Sequence, residues 1–226
     1  MPKKVPSVKR RKESLSRERV IEVSIELLDS SGESGLTFRA LSERLVTGPG
    51  AIYWHIDSKS ELLTAACDSI VARTMNAPTA SGTPEAIIRS LALGLYDAID
   101  THPWVGSTLT RAPGQLPIVR ILERIGQQVC ALGVPDEEQW ATVSALLNYI
   151  IGVAGQNADN TQFARTHNLD RASFLETVST VWSQLDPVEY PFARSVASQL
   201  PSHDDRADFI AGVDLILRGV AAAGER

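Results

Sequence analysis

The chain has 226 residues, of which 43% are apolar and 22% charged. That composition excludes a disordered or fibrous chain and bounds it at one or two globular domains. The formal net charge of −5 hides a split: residues 1–19 hold eight cations and two anions, a net +6, while the remainder holds 14 cations and 25 anions, a net −11.

The first segment, residues 1–15, is therefore a basic N-terminal arm on an acidic body. It points to a polyanion partner, with a solubilising tail as the other reading. The chain starts Met1-Pro2-Lys3-Lys4-Val5 with no apolar run before Val20, which predicts no secretory signal and a cytoplasmic location. Ile21, Ile25 and Leu28 recur at helical spacing, so a helix is predicted from Ser16 to Ser30, ended by Gly32 and Gly35. Thr37 has the chemistry of an N-cap for a short helix from Phe38 to Leu45. Val46-Thr47-Gly48-Pro49-Gly50 reads as a turn, followed by a third helix from Pro49 to His55. Ser58 and Glu61 have capping-box spacing and open a fourth helix that runs to Met75.

Asn76 to Thr83 is rich in Pro, Gly, Ser and Thr and reads as a domain boundary, giving a small domain over 16–75 and a larger one over 84–226. Thr83-Pro84-Glu85 starts a helix that runs to Thr101. His102-Pro103-Trp104 and Arg111 to Leu116 are breaks. A helix over Pro117–Ala131 ends at Gly133. Pro135-Asp136 opens the next, with Trp140, Val143, Leu147, Ile150, Ile151 and Ala154 as its stripe. Residues 158–168 are polar and read as loop. Arg171–Gln184 and Phe192–Leu200 read as helices, and Asp205–Ala223 as the last. No strand alternation persists, so the fold class is all-α, without internal repeats. The longest mostly apolar stretch, Val143 to Gly155, is broken by Ser144 and Asn148 and falls short of the roughly 20 residues of a bilayer span. Cys67 and Cys130 lie in apolar helical contexts and read as reduced core thiols.

Function is concentrated near the N-terminus. A long helix, a short helix, a tight turn, a second short helix and a capped fourth helix make a helix-turn-helix arrangement. Ile52 should pack inward against Leu41 and Leu45. Tyr53, Trp54 and His55 cannot all be buried on one face of so short a helix, so at least one aromatic faces solvent or a partner. Such a side chain beside polar donors suits phosphate and thymine-methyl contacts in a major groove.

Arg17-Glu18-Arg19-Val20-Ile21, Gly35-Leu36-Thr37-Phe38-Arg39-Ala40-Leu41 and Ile52-Tyr53-Trp54-His55-Ile56-Asp57-Ser58-Lys59-Ser60-Glu61-Leu62-Leu63 resemble, without gaps, the DNA-binding domain of tetracycline-repressor-type (TetR) regulators. His102-Pro103-Trp104 and Asp205-Arg206-Ala207-Asp208-Phe209-Ile210-Ala211-Gly212-Val213-Asp214-Leu215-Ile216-Leu217 resemble the tetracycline-repressor-like C-terminal domain. The resemblance implies a homodimer on a near-palindromic operator and a C-terminal pocket for an effector. It places Thr37, Arg39, Ala51, Tyr53, Trp54, His55 and Lys59 at DNA-contact positions, with Thr37, Tyr53, His55 and Lys59 mainly on phosphates. Arg39 is the candidate base reader, because its fork can bond guanine bidentately; an ion pair with Glu43 is its other reading. Trp54 reads as a DNA contact or a core residue, and His55 as a DNA contact or a cap. The family's usual Gly-Val-Ser turn is here Val46-Thr47-Gly48. A left-handed β-branched residue is costly, so Gly48 is expected to take the positive-φ position. Pro49 and Gly50 replace polar base readers, predicting fewer base contacts there. The arm, with Arg10 and Arg11, would compensate in a minor groove.

Where tetracycline repressors hold a drug–magnesium chelate, this chain has Met75, Leu91, Leu95 and Ile125. Ser107 and Thr108 stand near the place of a family histidine. No tetracycline, metal or other cofactor is therefore expected, and His55, His102, His167 and His203 are scattered without ligand spacing. The pocket should be mostly apolar. Its candidate lining is Leu91, Leu95, His102, Trp104, Ile125, Trp140, Asn148, Gln156 and Phe163, each of which also reads as plain core. Asn148 and Gln156, read as buried amides, would need partners in a ligand or a second subunit. Dimerisation should use the helices near 136–157 and 205–223 as a four-helix bundle. No P-loop, G-x-S-x-G or dinucleotide signature suggests an enzyme. Glu137-Glu138 and Asp204-Asp205 sit at helix starts, where the dipole explains them. The reading is a ligand-responsive transcriptional repressor. The alternative is an all-α small-molecule or partner-binding protein with weakened or lost DNA binding.

Overall fold

The computed structural model describes residues 15–77, 82–111, 114–167 and 170–224. Arg10, Arg11 and nearly all of the basic arm lie outside them. Among the described residues there are eleven α-helices, one short 3-10 turn and no strand. The chain divides into two compact units, Met1–Ala66 and Cys67–Arg226. The sequence places the boundary at 76–83; by packing, the division falls earlier, inside a helix.

In the first unit, α1 (Arg17–Gly35) is capped by Ser16, whose hydroxyl accepts the Arg19 N–H at 3.2 Å. Its core face is Val20, Val23, Ser24, Leu27 and Leu28, with Ile25 just inside, while Ile21 is half-buried. The stripe read from the sequence is thus rotated. Ser24 joins the core because its hydroxyl donates to the Val20 carbonyl at 2.6 Å, satisfying its polarity locally. Gly32, at φ +63°, kinks the helix before it ends at Gly35. α2 (Phe38–Leu45) starts at Thr37, whose hydroxyl accepts the Ala40 N–H at 3.1 Å. α3 (Pro49–Tyr53) is only five residues long. α4 (Lys59–Asn76) opens as the capping box predicts: Ser58 Oγ accepts the Glu61 N–H at 3.1 Å.

The turn between α2 and α3 corrects the sequence reading. Val46 itself takes the left-handed conformation (φ 51°, ψ 49°), and Gly48 is extended at φ −82°. The Thr47 N–H reaches the Ser42 carbonyl at 3.0 Å and the Val46 N–H reaches Glu43. This is the paired-bond ending that demands a left-handed residue after the helix, whatever its identity. Gly48 precedes Pro49, whose ring drives the preceding residue to the extended region. Val46 is 83% exposed, so its strain is confined to its own backbone, at roughly 1–2 kcal/mol.

In the second unit, α5 (Pro84–Thr101) packs against α7 (Leu116–Ala131), α8 (Asp136–Thr166) and α11 (Asp205–Gly224). α6 (Trp104–Arg111) lies on α8, where a Cβ on Gly106 would meet the Gly155 Cα at 3.3 Å. Ile88, Ile99, Ile121, Val129, Leu146, Ile150, Phe209 and Val213 form a core without solvent exposure. The Tyr149 hydroxyl donates to the Phe209 carbonyl at 3.1 Å. Gly212 leaves room for that ring, since a Cβ there would fall 1.9 Å from the Tyr149 oxygen. Arg120 grips Asp68 at 2.7 Å, and Arg124 donates to the Met75 carbonyl at 3.1 Å, fastening α7 to the last turns of α4. α9 (Arg171–Ser183) and α10 (Pro191–Ala197) pack on each other.

Residues 158–166, read as loop, continue α8 to 31 residues. Ala158 and Ala164 are buried, and the Phe163 ring lies 6.0 Å from Phe174. The apolar stripe runs on in alanines, too small to stand out among polar neighbours on the outer face. Cys130 is also corrected: it is exposed, with its thiol on Gln139 Oε1 at 3.3 Å.

Val46→Gly relieves the left-handed strain while freeing the unfolded chain, so it should stabilise the first unit by about 1 kcal/mol. A urea titration checks this; an unmoved or lowered midpoint contradicts it. Burial pushes the Cys67 thiol up to about 12. Iodoacetamide at neutral pH should label Cys130 and spare Cys67, as read by mass spectrometry of the digested native protein; a labelled Cys67 contradicts that burial.

Candidate nucleic-acid interface and ligand site

α3 packs on α2, and Ile52 and Leu41 are both without solvent exposure. With Ile52 inward, the neighbouring side chains turn out. Trp54 is 89% exposed and Tyr53 50% exposed. Trp54 is therefore no core residue of this chain. The Tyr53 ring stacks on Phe38 at 4.4 Å and 16°, which fixes its plane and leaves its hydroxyl at the surface. Arg39 is 90% exposed and donates to Glu43 at 3.0 Å. The ion pair with Glu43 is formed, and an exposed i,i+4 pair of this kind is worth only about 0.3–0.5 kcal/mol. A guanine edge can take the fork at little expense.

The other candidates differ in how they are engaged. Thr37 caps α2 and keeps its hydroxyl hydrogen for a partner. Ala51 and His55 are half-buried, and the His55 carbonyl accepts from Arg17. Lys59 donates to the Glu33 carbonyl at 2.6 Å. Gly48, Pro49 and Gly50 are exposed and bring no side-chain donor to the start of α3. Arg10 and Arg11 lie outside the described residues. The pairing of Arg17 with Glu61 was not read from the sequence, since 44 positions separate the two.

The proposed ligand-lining residues fall into two groups. Leu91, Leu95, Ile125 and Trp104 are buried in the core of the second unit, with His102 half-buried and edge-on to Trp104 at 6.2 Å. Trp140 is 71% exposed, Phe163 49% exposed, and Asn148 and Gln156 are exposed. The two amides thus need no internal partner. The amide that does is Asn157, half-buried and donating to the Tyr96 hydroxyl at 3.1 Å. A cleft of about 540 Å³ lies between the α7–α8 turn, α8 and the end of α11. Another of about 380 Å³ lies between α7 and α8 beside Trp140, and one of about 640 Å³ lies along α5 near Leu91 and Arg206. These clefts gather no more than one proposed lining residue each. Among the described residues, no cluster of His, Cys, Asp or Glu could hold a metal. No described helix is long and apolar enough to cross a membrane.

An all-α chain with an exposed aromatic and an exposed arginine on a helix-turn-helix, followed by a larger helical body, is a DNA-binding regulator in architecture. Residues 78–223 match the model of the tetracycline-repressor-like C-terminal domain. The chain is 50% identical to the transcriptional regulator SCO7222, a TetR from Streptomyces coelicolor, with a TM-score of 0.83 over 92% of this chain and 98% of that one. It is 26% identical to an HTH-type transcriptional regulator of Saccharopolyspora erythraea over 94% of this chain and 87% of that protein. It shares its fold with ActR of Streptomyces coelicolor, at 19% identity and a TM-score of 0.76 over 93% of this chain and 97% of that one. The chain belongs to the TetR family of transcriptional regulators. DNA binding follows from that membership.

Proposed function

We propose that this regulator is a repressor that binds a near-palindromic operator as a homodimer and is released by a small, mostly apolar effector. The observation that carries the reading is the outward set of Arg39, Tyr53 and Trp54 on a helix-turn-helix whose inward residues, Leu41 and Ile52, have no solvent exposure. Arg39 reads a base, Trp54 offers its face and edge to a thymine methyl or the sugar-phosphate chain, and Thr37, Tyr53, His55 and Lys59 hold phosphates. Gly48-Pro49-Gly50 gives few base contacts at the start of α3, and the arm with Arg10 and Arg11 adds contacts in a minor groove. The alternative, a binding protein that has lost its DNA contacts, rested on the unusual turn. That turn closes with regular helix-ending bonds, and membership of a family of DNA-binding regulators favours the first reading over the alternative.

The homodimer is supported by the open faces of α8 and α11. Ala141, Ala145, Asn148 and Gly152 on α8, and Ala211, Leu215 and Gly219 on α11, are all exposed. Among the described residues, a Cβ placed on Gly152 or Gly219 meets no atom within 4 Å beyond its own stretch of helix. A helix-interior glycine is about 1 kcal/mol worse than alanine, and nothing within the chain requires either one. A second copy packed closely on these faces does. The effector reading draws on ActR, which was solved in complex with actinorhodin, and on the apolar side chains Leu91, Leu95, Trp104 and Ile125 gathered within the second unit. Such a regulator works in the cytoplasm.

Arg39→Ala should weaken operator binding by about 1–3 kcal/mol and relax sequence preference. Equal losses on operator and random DNA in a competition titration rule out base reading. Gly152 is exposed and a Cβ there meets nothing beyond its own helix, so Gly152→Trp should yield a folded monomer with much weaker operator binding. Light scattering on the eluting protein reads the mass, and a dimer that survives sinks this interface.

A further inference from the structure

α3 is too short to hold itself. Helices below roughly 12–15 residues are marginal in water, and α3 has five. Ile52 and Ile56, at 0% and 1% exposure, peg it to the unit. Apolar burial is non-directional, so these pegs set how deep α3 sits but not how it is turned. The Phe38 stack holds the plane of the Tyr53 ring, and a polar clasp at the carboxyl end adds direction to the helix. Arg17 Nη1 donates to the His55 carbonyl and, at 2.9 Å, to Glu61 Oε1. The other carboxylate oxygen of Glu61 accepts the Asp57 N–H at 2.8 Å. The clasp joins three segments: the first turn of α1, the exit of α3 and the first turn of α4.

We propose that Arg17 is a positioning residue for DNA readout, acting through Glu61 and the His55 carbonyl to set the orientation in which α3 presents Tyr53 and Trp54. The proposal rests on the DNA-binding reading and adds to it a residue that touches no DNA. Its guanidinium is occupied internally, with the side chain 43% exposed against 35% for Glu61. The Asp57 N–H, first, and then the Arg17 guanidinium hold the Glu61 carboxyl below the usual carboxylate range, so it is ionised at neutral pH. Arg19, two residues on, is a built-in contrast. It pairs only along its own helix, with Glu22 at 3.1 Å, and both side chains are more than half exposed. A census of cations counts the two arginines alike; the clasp separates them. A phosphate contact contributes to the salt dependence of binding, whereas an internally satisfied cation does not.

The test uses the full chain as wild type, Arg17→Ala, Arg17→Lys, Glu61→Gln and Arg19→Ala. Each is measured against a duplex selected from a random pool by the wild type and an unselected duplex of equal length, across salt, with amide hydrogen exchange read in parallel. Arg17→Ala should speed exchange over residues 50–57 while leaving 62–75 unchanged. It should weaken the selected duplex about tenfold and leave the unselected duplex and the salt slope at the wild-type level. Arg17→Lys keeps the charge without the fork and should recover only part of the loss. Glu61→Gln should follow Arg17→Ala in direction without removing a cation. Unchanged exchange over 50–57 overturns the clasp. So does a parallel fall on both duplexes with a salt slope flatter by about one, which marks Arg17 as a phosphate contact. A wild type that prefers no duplex overturns the DNA-binding reading, and the proposal with it; a selective wild type with insensitive exchange overturns the clasp alone.

Discussion

A one-turn helix cannot pay for its own order, and the rest of the first unit follows from that constraint. Each α3 backbone bond is bought with dihedral freedom that a longer helix would recover by propagation. The order must come from outside: from Ile52 and Ile56 below, from Phe38 stacked on Tyr53 at the side, and from Arg17 at the exit. Because the inward positions are all used for anchoring, Trp54 and the outer edge of Tyr53 are free to face a partner. The reading surface is what remains once the anchors are placed. The same logic sets the turn. The paired bonds that close α2 need a left-handed residue, and Val46 supplies it under strain because its side chain meets nothing.

The second unit solves a different problem. α8 is long enough to present one face inward along its whole length, through Leu146, Ile150, Ala154 and Ala158, and to leave another face open. The inner face is closely filled: Leu91, Leu95 and Ile125 are at most 2% exposed. A ligand that touches those side chains reaches them only by parting them. Its binding energy must then exceed the lost packing, and the conformation it holds differs from the one described. Regulation by such a ligand therefore needs no separate device. Admission to a filled core is itself a change of state.

Much of this was legible where local chemistry decides the structure. Thr37, Ser58 and Thr83 were recognisable as caps because one hydroxyl satisfies one orphan N–H within three residues. The helix-turn-helix followed from helix lengths, and the exposed aromatic from the count of faces on a short helix. Other features were illegible for stated reasons. Val46 was misjudged because a local strain was weighed without the helix-ending bonds that enforce it. The end of α8 was missed because Ala158 and Ala164 bury little area and so leave little pattern. The apolar stripe implies burial of Asn148 and Gln156, yet both are exposed, because a stripe does not say which face of a long helix the chain itself covers. Asn157, their neighbour, is the amide with the internal partner. Arg17 and Glu61 meet across 44 positions, and no periodicity records such a pair.

Gly48 and Gly50 have a consequence for how such a protein changes over time. Neither has positive φ, and among the described residues a Cβ placed on either meets no atom within 4 Å beyond its own stretch of chain. Both are exposed at the edge of the reading surface. A Cβ is accommodated at either position without a clash. On the proposed DNA-binding reading these positions are vacant letters in the recognition code, where a single codon change can add a hydrogen-bonding group. On that reading the chain can move from one operator to another by substitutions at these two positions, and an engineer can take the same route.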